Sequence, residues 1–184
     1  SYTSPTQINA IAPDGISGIA TVVVERNGVR SPVATVNTRR LNPAFFAYSQ
    51  RNGRYIATVA ADNSAYIAPA DLFGVSSIGG LAVRPARPGE FVVAYGMGMG
   101  PTNPALPAGE IPPVREGGHP ITGAVSLTFG TGRSVTPLYV GLSSFAGVYI
   151  VVFQVPQLPP GDYEVVISVD GIASPQGVNI QVAP

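Results

Sequence analysis

One stretch of this chain occurs twice. Residues 13–32, PDGISGIATVVVERNGVRSP, align without gaps to residues 156–175, PQLPPGDYEVVISVDGIASP. Pro13/Pro156, Gly18/Gly161, Val22/Val165, Gly28/Gly171 and Ser31-Pro32/Ser174-Pro175 share a single offset, 156 − 13 = 143. Internal repetition constrains the fold before any residue-level reading does. The unit reads as a proline, a strand, a tight turn and a second strand. In its second copy it closes a segment long enough for a sandwich domain. In its first copy it begins close to residue 1, so the first unit is expected to lack its opening strands.

The turn chemistry points the same way. Asn27-Gly28, Asn52-Gly53 and Asp170-Gly171 sit between apolar or alternating runs, and such dipeptides accept the positive φ angles of a type I′ hairpin turn. Tyr163, Val165, Ile167 and Val169 alternate with Glu164, Val166, Ser168 and Asp170, the period of a strand with one buried face. Ile8, Ala10 and Ala12 alternate before Pro13, and Val151, Phe153 and Val155 before Pro156. No segment carries a capped 3.6-residue apolar period. Glycine and proline, 22 and 19 of 184 residues, are then the turns of an all-β protein.

The expected fold is therefore all-β, with tandem immunoglobulin-like β-sandwich units. A first, partial unit spans 1–80 and carries an extra hairpin at 44–68. A complete unit spans 81–184, with strands near 81–84, 89–96, 122–129, 133–141, 146–155, 162–169 and 172–182. Seven strands in about 100 residues suit such a sandwich.

Charge narrows the function classes. Only 11% of residues are charged, ten against ten, and every basic residue is Arg. An ordinary soluble domain has roughly 25%. Nucleic-acid binding, which needs clustered cations, is not expected. Self-association is, because nothing repels a second copy. With no cysteine there is no thiol chemistry. No apolar run reaches the roughly 18 residues of a membrane helix, so no membrane insertion is expected. No leader is recognisable, and the chain is read as mature or excised.

The segment Arg87-Pro88-Gly89-Glu90-Phe91-Val92-Val93-Ala94-Tyr95-Gly96-Met97-Gly98-Met99-Gly100-Pro101 resembles the Solibacter-type uncharacterised C-terminal domain family of bacteria. The likeness continues through Leu138–Gly141, Gly147–Tyr149, Phe153–Pro156 and Pro160–Asp162, and upstream at Ser4–Asn9 and Asn42–Phe46. It implies an Ig-like fold related to IPT/TIG sandwiches, at the C-terminal end of larger exported proteins, with no enzymatic activity. It also implies an extracellular or cell-surface location. The chain departs from that family at Ile150 and Val152, where polar residues are usual, so the outer face of this strand is expected to be covered by something.

Chemically suggestive residues each have a plainer explanation. Gly96-Met97-Gly98-Met99-Gly100 follows a strand, but Pro101 and Pro104 come next and no helix follows, so it reads as a bulge and turn rather than a dinucleotide fingerprint. His119, the one histidine, has Glu110 and Glu116 in its loop, yet lacks metal-ligand spacing and is expected to be solvated. No serine sits in a nucleophile elbow. Arg39, Arg40, Arg51 and Arg54 read as rim charge. Asp62 and Asn63 read as a turn. Tyr48, Tyr55 and Tyr66 could form a stacking platform for sugar, though cross-strand packing explains them. No catalytic residue, cofactor or metal is expected.

The sequence thus suggests a non-catalytic, exported structural or adhesive module that binds protein. The alternative is a self-assembling filament subunit that uses strand complementation between chains. Ile8, Ala10 and Ala12 in the N-terminal segment, with Tyr149, Ile150 and Val152, are the expected interaction residues. The partner is a surface protein or a second copy in a homo-oligomer.

Overall fold

The computed structural model describes residues 2–50, 53–130 and 132–184, and no helix occurs among them. Two mixed sheets face one another across a shared core. The large, nine-stranded sheet runs Ser77–Ile78, Leu81–Arg84, Ala65–Ile67, Thr58–Ala60, Phe91–Met97, Tyr149–Gln154, Tyr139–Leu142 and His119–Pro120, with Ala44–Phe45 paired to the end of Phe91–Met97. The small, seven-stranded sheet runs Arg133–Val135, Val125–Phe129, Gly161–Val169, Asn179–Val182, Gly53–Ile56 and Ala47–Gln50, with Ile172–Ala173 paired to Gly161–Val169.

Period-two patterning builds the core. Val92, Ala94, Val151 and Phe153 of the large sheet and Leu127, Val165, Ile167 and Val169 of the small one are all 0% exposed and belong to one cluster. Phe129 and Phe153 meet across the layers with ring centroids 5.6 Å apart. Each of these Val, Leu, Ile and Phe side chains contributes roughly 1.5–3 kcal/mol by leaving water.

The expected boundary near residue 80 does not separate two units. Gly53–Ile56 pairs with Asn179–Val182 in the small sheet, and Thr58–Ala60 pairs with Phe91–Met97 in the large one. The chain changes layer between Ile56 and Thr58, so residues of the expected hairpin at 44–68 complete both sheets of the expected second unit. The physical reason is burial. Ile56, Ala60, Ala65 and Ile67 are 3% exposed or less, and so short a segment has no second layer of its own to cover them. Two pairings are parallel, Ala65–Ile67 with Leu81–Arg84 and Gly53–Ile56 with Asn179–Val182. An immunoglobulin sandwich has antiparallel sheets.

None of residues 3–42 is buried, and Leu41, at the end of this stretch, packs against the rim of the core. Within them Gly18–Val22 pairs with Ala34–Thr38, and Glu25–Arg26 with Val29–Arg30.

Both repeat copies nevertheless make the same hairpin. Asn27 and Gly28 have φ of 51° and 79°, and Asp170 and Gly171 have 48° and 80°. The Ser31 N–H donates to the Val24 carbonyl at 2.8 Å while its Oγ accepts from the Val24 N–H at 3.0 Å. Ser174 does the same to Ile167, at 2.8 and 3.2 Å. The Ser-Pro of the repeat is therefore a clamp closing the hairpin. The third expected turn, at Asn52-Gly53, includes Asn52, which lies outside the described residues. Gly171→Val should destabilise the protein by about 1 kcal/mol or more, because a β-branched residue resists positive φ. Gly28→Val should raise only local amide exchange in the exposed hairpin. Equal shifts of the global denaturation midpoint would contradict this.

The Arg87-Pro88-Gly89-Glu90 motif is a turn that aligns the central strand. The Glu90 carboxylate accepts from both terminal nitrogens of Arg84, at 3.0 and 2.9 Å, and from the Arg87 N–H at 2.5 Å. Gly89, at φ 82°, leads the chain into a backbone bond with Val155.

Candidate interaction surface

The outer face of the large sheet is apolar as well as the inner one. Along Phe91–Met97 the burial alternates, so Val92, Ala94 and Gly96 point inward while Phe91, Val93, Tyr95 and Met97 point outward. Along Tyr149–Gln154, Val151 and Phe153 point inward, and Ile150 and Val152 outward. The register places Val59, Val93, Val152 and Tyr139 in one row across four strands, with Tyr95 beside Ile150 in the next. Phe91 and Met97 are 45% and 47% exposed. None of these outward side chains carries a formal charge. A contiguous apolar patch of this kind marks an interaction site more often than scattered single residues do.

Tyr48, Tyr55 and Tyr66 do come together, at one flank of this face. Tyr48 and Tyr55 are direct cross-strand partners, and Tyr48 meets Phe73 edge-on with centroids 5.0 Å apart. With Tyr66 and Ile78 they pack over Ala68, Leu72 and Val83. Burial raises the Tyr48 phenol above its ordinary value, with Tyr66 and Tyr95 adding to the effect. These rings are packed on a satellite core, which is the cross-strand explanation rather than an open platform.

The expected interaction residues fall into separate places. Ile8, Ala10 and Ala12 are exposed, Ile8 paired with Thr3 in a short hairpin. Tyr149 faces the core side, half-buried, and its hydroxyl donates to the Gly100 carbonyl at 2.6 Å. Burial raises its pKa, and the nearby Asp14 carboxylate adds to this. Ile150 and Val152 lie on the outer face. The N-terminal segment touches the body near Tyr149 instead. The Asp14 carboxylate accepts from the Ala108 N–H at 2.7 Å, and Ile11 packs over Gly147.

His119 is not in a solvated loop. It is 4% exposed, pairs with Leu142 in the large sheet, and its backbone N–H donates to the Tyr139 hydroxyl at 3.0 Å. Both ring nitrogens face carbonyls, of Pro104 and Pro113, each at 3.4 Å. The proline-rich loop folds over the ring and buries it. His119→Ala should therefore cost about 1–3 kcal/mol, through lost ring contacts and loss of the hydrogen bond its one N–H gives to a carbonyl. An unchanged denaturation midpoint would refute that packing role.

The glycine run also has a packing role. Gly96, Gly98 and Gly100 admit residues 41–44 against the strand end, where any Cβ would strike Met99 and Ala44, Asn42 or Leu41. Asp62 accepts from the Ser64 N–H at 2.9 Å in a turn with Asn63 at φ 58°, and the Ser64 side chain, helped by that N–H, holds its carboxyl below the usual range. Arg39, Arg40 and Arg54 are exposed, and Arg51 lies outside the described residues. Glu110 and Glu116 are exposed, and the described residues contain no group of three metal-ligating side chains. Two open concavities flank Leu138, and no carboxylate, His or Arg lines either of them.

The sequence reading missed Phe91, Val93, Tyr95 and Met97 as an outward row. The signal was present in the unbroken apolar run Phe91–Tyr95, which is the mark of a strand apolar on both faces. Compared with family models, curated proteins and solved structures, the chain matches none.

Proposed function

We propose that this protein is a non-catalytic structural or adhesive interaction module of the exported bacterial Ig-like kind. The observation that carries this reading is the uncharged outer sheet face built on Val93, Tyr95, Ile150 and Val152. Sheet faces that stay in water normally alternate to polar residues, and this one does not. Its chemistry suits burial of a protein surface, since it offers apolar area and tyrosine hydroxyls but no acid–base pair. The resemblance to the Solibacter-type domain family supports an extracellular or surface location. Saturable binding of the full chain to an extracellular protein panel, lost in Val93→Asp, is the expected result. Binding indifferent to that substitution, or turnover of ester, peptide or glycoside substrates, would overturn it.

A further inference from the structure

This inference rests on the interaction-module reading and assigns its partner. Among the described residues, two apolar sheet faces have no second layer over them. One is the outer face of the large sheet. The other is on the N-terminal hairpin, where pairing places Ala20 with Val36 and Val22 with Ala34 on one side, and Ile19, Thr21, Thr35 and Asn37 on the other.

The internal repeat shows what the first of those hairpin sides is built for. Val22 and Val24 match Val165 and Ile167, which are both 0% exposed beneath the opposite sheet, whereas Val22 and Val24 are 47% and 44% exposed. The same hairpin, with the same turn and the same serine clamp, thus has its apolar side covered by a sheet in one copy and left open among the described residues in the other. The missing cover is an apolar sheet face. The chain possesses one.

We propose that the Ala20/Val22/Val36 side of one molecule packs on the Val93/Ile150/Val152 face of a second copy. The sizes are complementary, small Ala and Val side chains against Phe91, Tyr95 and Tyr139. Neither face carries a formal charge, so no unpaired charge is buried, and ten positive against ten negative residues leave no net repulsion between copies. Two sheets meeting in this way adopt aligned packing at about 10 Å. Because the two patches differ, the contact is head-to-tail and leaves a free face at each end, so it propagates into a linear assembly.

Sedimentation velocity on the full chain should show a concentration-dependent ladder of species. Val22→Asp spoils only the hairpin side, and Val152→Asp only the sheet face, so each alone should be monomeric. Mixed, the two should form a dimer and nothing larger, because one intact face of each kind remains. Phe91→Asp, at a side chain nearly half exposed, replaces Val152→Asp if the latter perturbs folding. Thr35→Asp, on the opposite side of the hairpin, should assemble like the parent. A parent chain monomeric at every concentration, variants that assemble unchanged, or a mixture that stays monomeric would each overturn the proposal. A monomer that still binds another protein through Val93 would overturn this partner alone and leave the module reading standing.

Discussion

Ile167→Ala should destabilise the protein by about 2–5 kcal/mol, the range for truncating a fully buried aliphatic side chain. Val24→Ala, at the matching position of the other repeat copy, should leave the global transition within about 0.5 kcal/mol. The two residues share a backbone setting, since each exchanges hydrogen bonds with the clamp serine seven positions on. They differ in what lies above them. Ile167 is 0% exposed in a cluster with Leu127, Phe153 and Val165, so truncation leaves a cavity between two sheets that cannot both move. Val24 is 44% exposed and gives up little that water does not already touch. Chemical denaturation of both variants at low concentration, where any assembly is dissociated, checks this. Equal losses would mean that the N-terminal hairpin is part of the cooperative core. A loss in Val24→Ala that appears only at high concentration would reflect the intermolecular contact.

This pair also shows where sequence reasoning works and where it stops. The hairpin turns at Asn27-Gly28 and Asp170-Gly171 were legible because two adjacent positive φ angles have few chemical solutions. The strand Gly161–Val169 was legible because its apolar side alternates. Whether that side is covered was not legible, since Val22 and Val165 are the same residue at the same repeat position and differ only in long-range packing. The boundary near residue 80 failed for the same reason. Parallel pairing of Gly53–Ile56 with Asn179–Val182 joins residues more than a hundred positions apart, and no local pattern encodes such a partner. The Pro and Gly around His119 signal a solvated loop. Those prolines supply the carbonyls that bury it. At the interaction surface, Ile150 and Val152 were readable as a departure from polar alternation, while the arrangement of Val59 and Tyr139 beside them needed the register.

Gly98→Ala should cost about 2–5 kcal/mol, combining roughly 1–2 for a left-handed residue bearing a Cβ with roughly 1–3 for forcing apart packed backbone. Gly98 has φ 69°, and its added Cβ would collide with the Asn42 carbonyl, while its own carbonyl accepts from the Asn42 N–H at 3.0 Å. Neither partner can yield separately, because both are main chain and they are hydrogen-bonded to each other. Gly117→Ala is the control. It has a similar φ of 75°, but an added Cβ would meet nothing within 4 Å, so it should show the conformational cost alone. The difference between the two variants then measures the close approach. That approach matters beyond stability. Residues 41–45 join the exposed N-terminal hairpin to the body, with Ala44–Phe45 paired to the end of the strand carrying Phe91, Val93, Tyr95 and Met97. The glycine run holds this junction tight against the sheet, fixing where the hairpin departs relative to the outer face. Gly98→Ala should therefore loosen the junction and shorten the ladder of assembled species, even under conditions where the body stays folded. Similar denaturation midpoints for Gly98→Ala and Gly117→Ala would show that the junction gives way freely and that the glycines serve the turn alone.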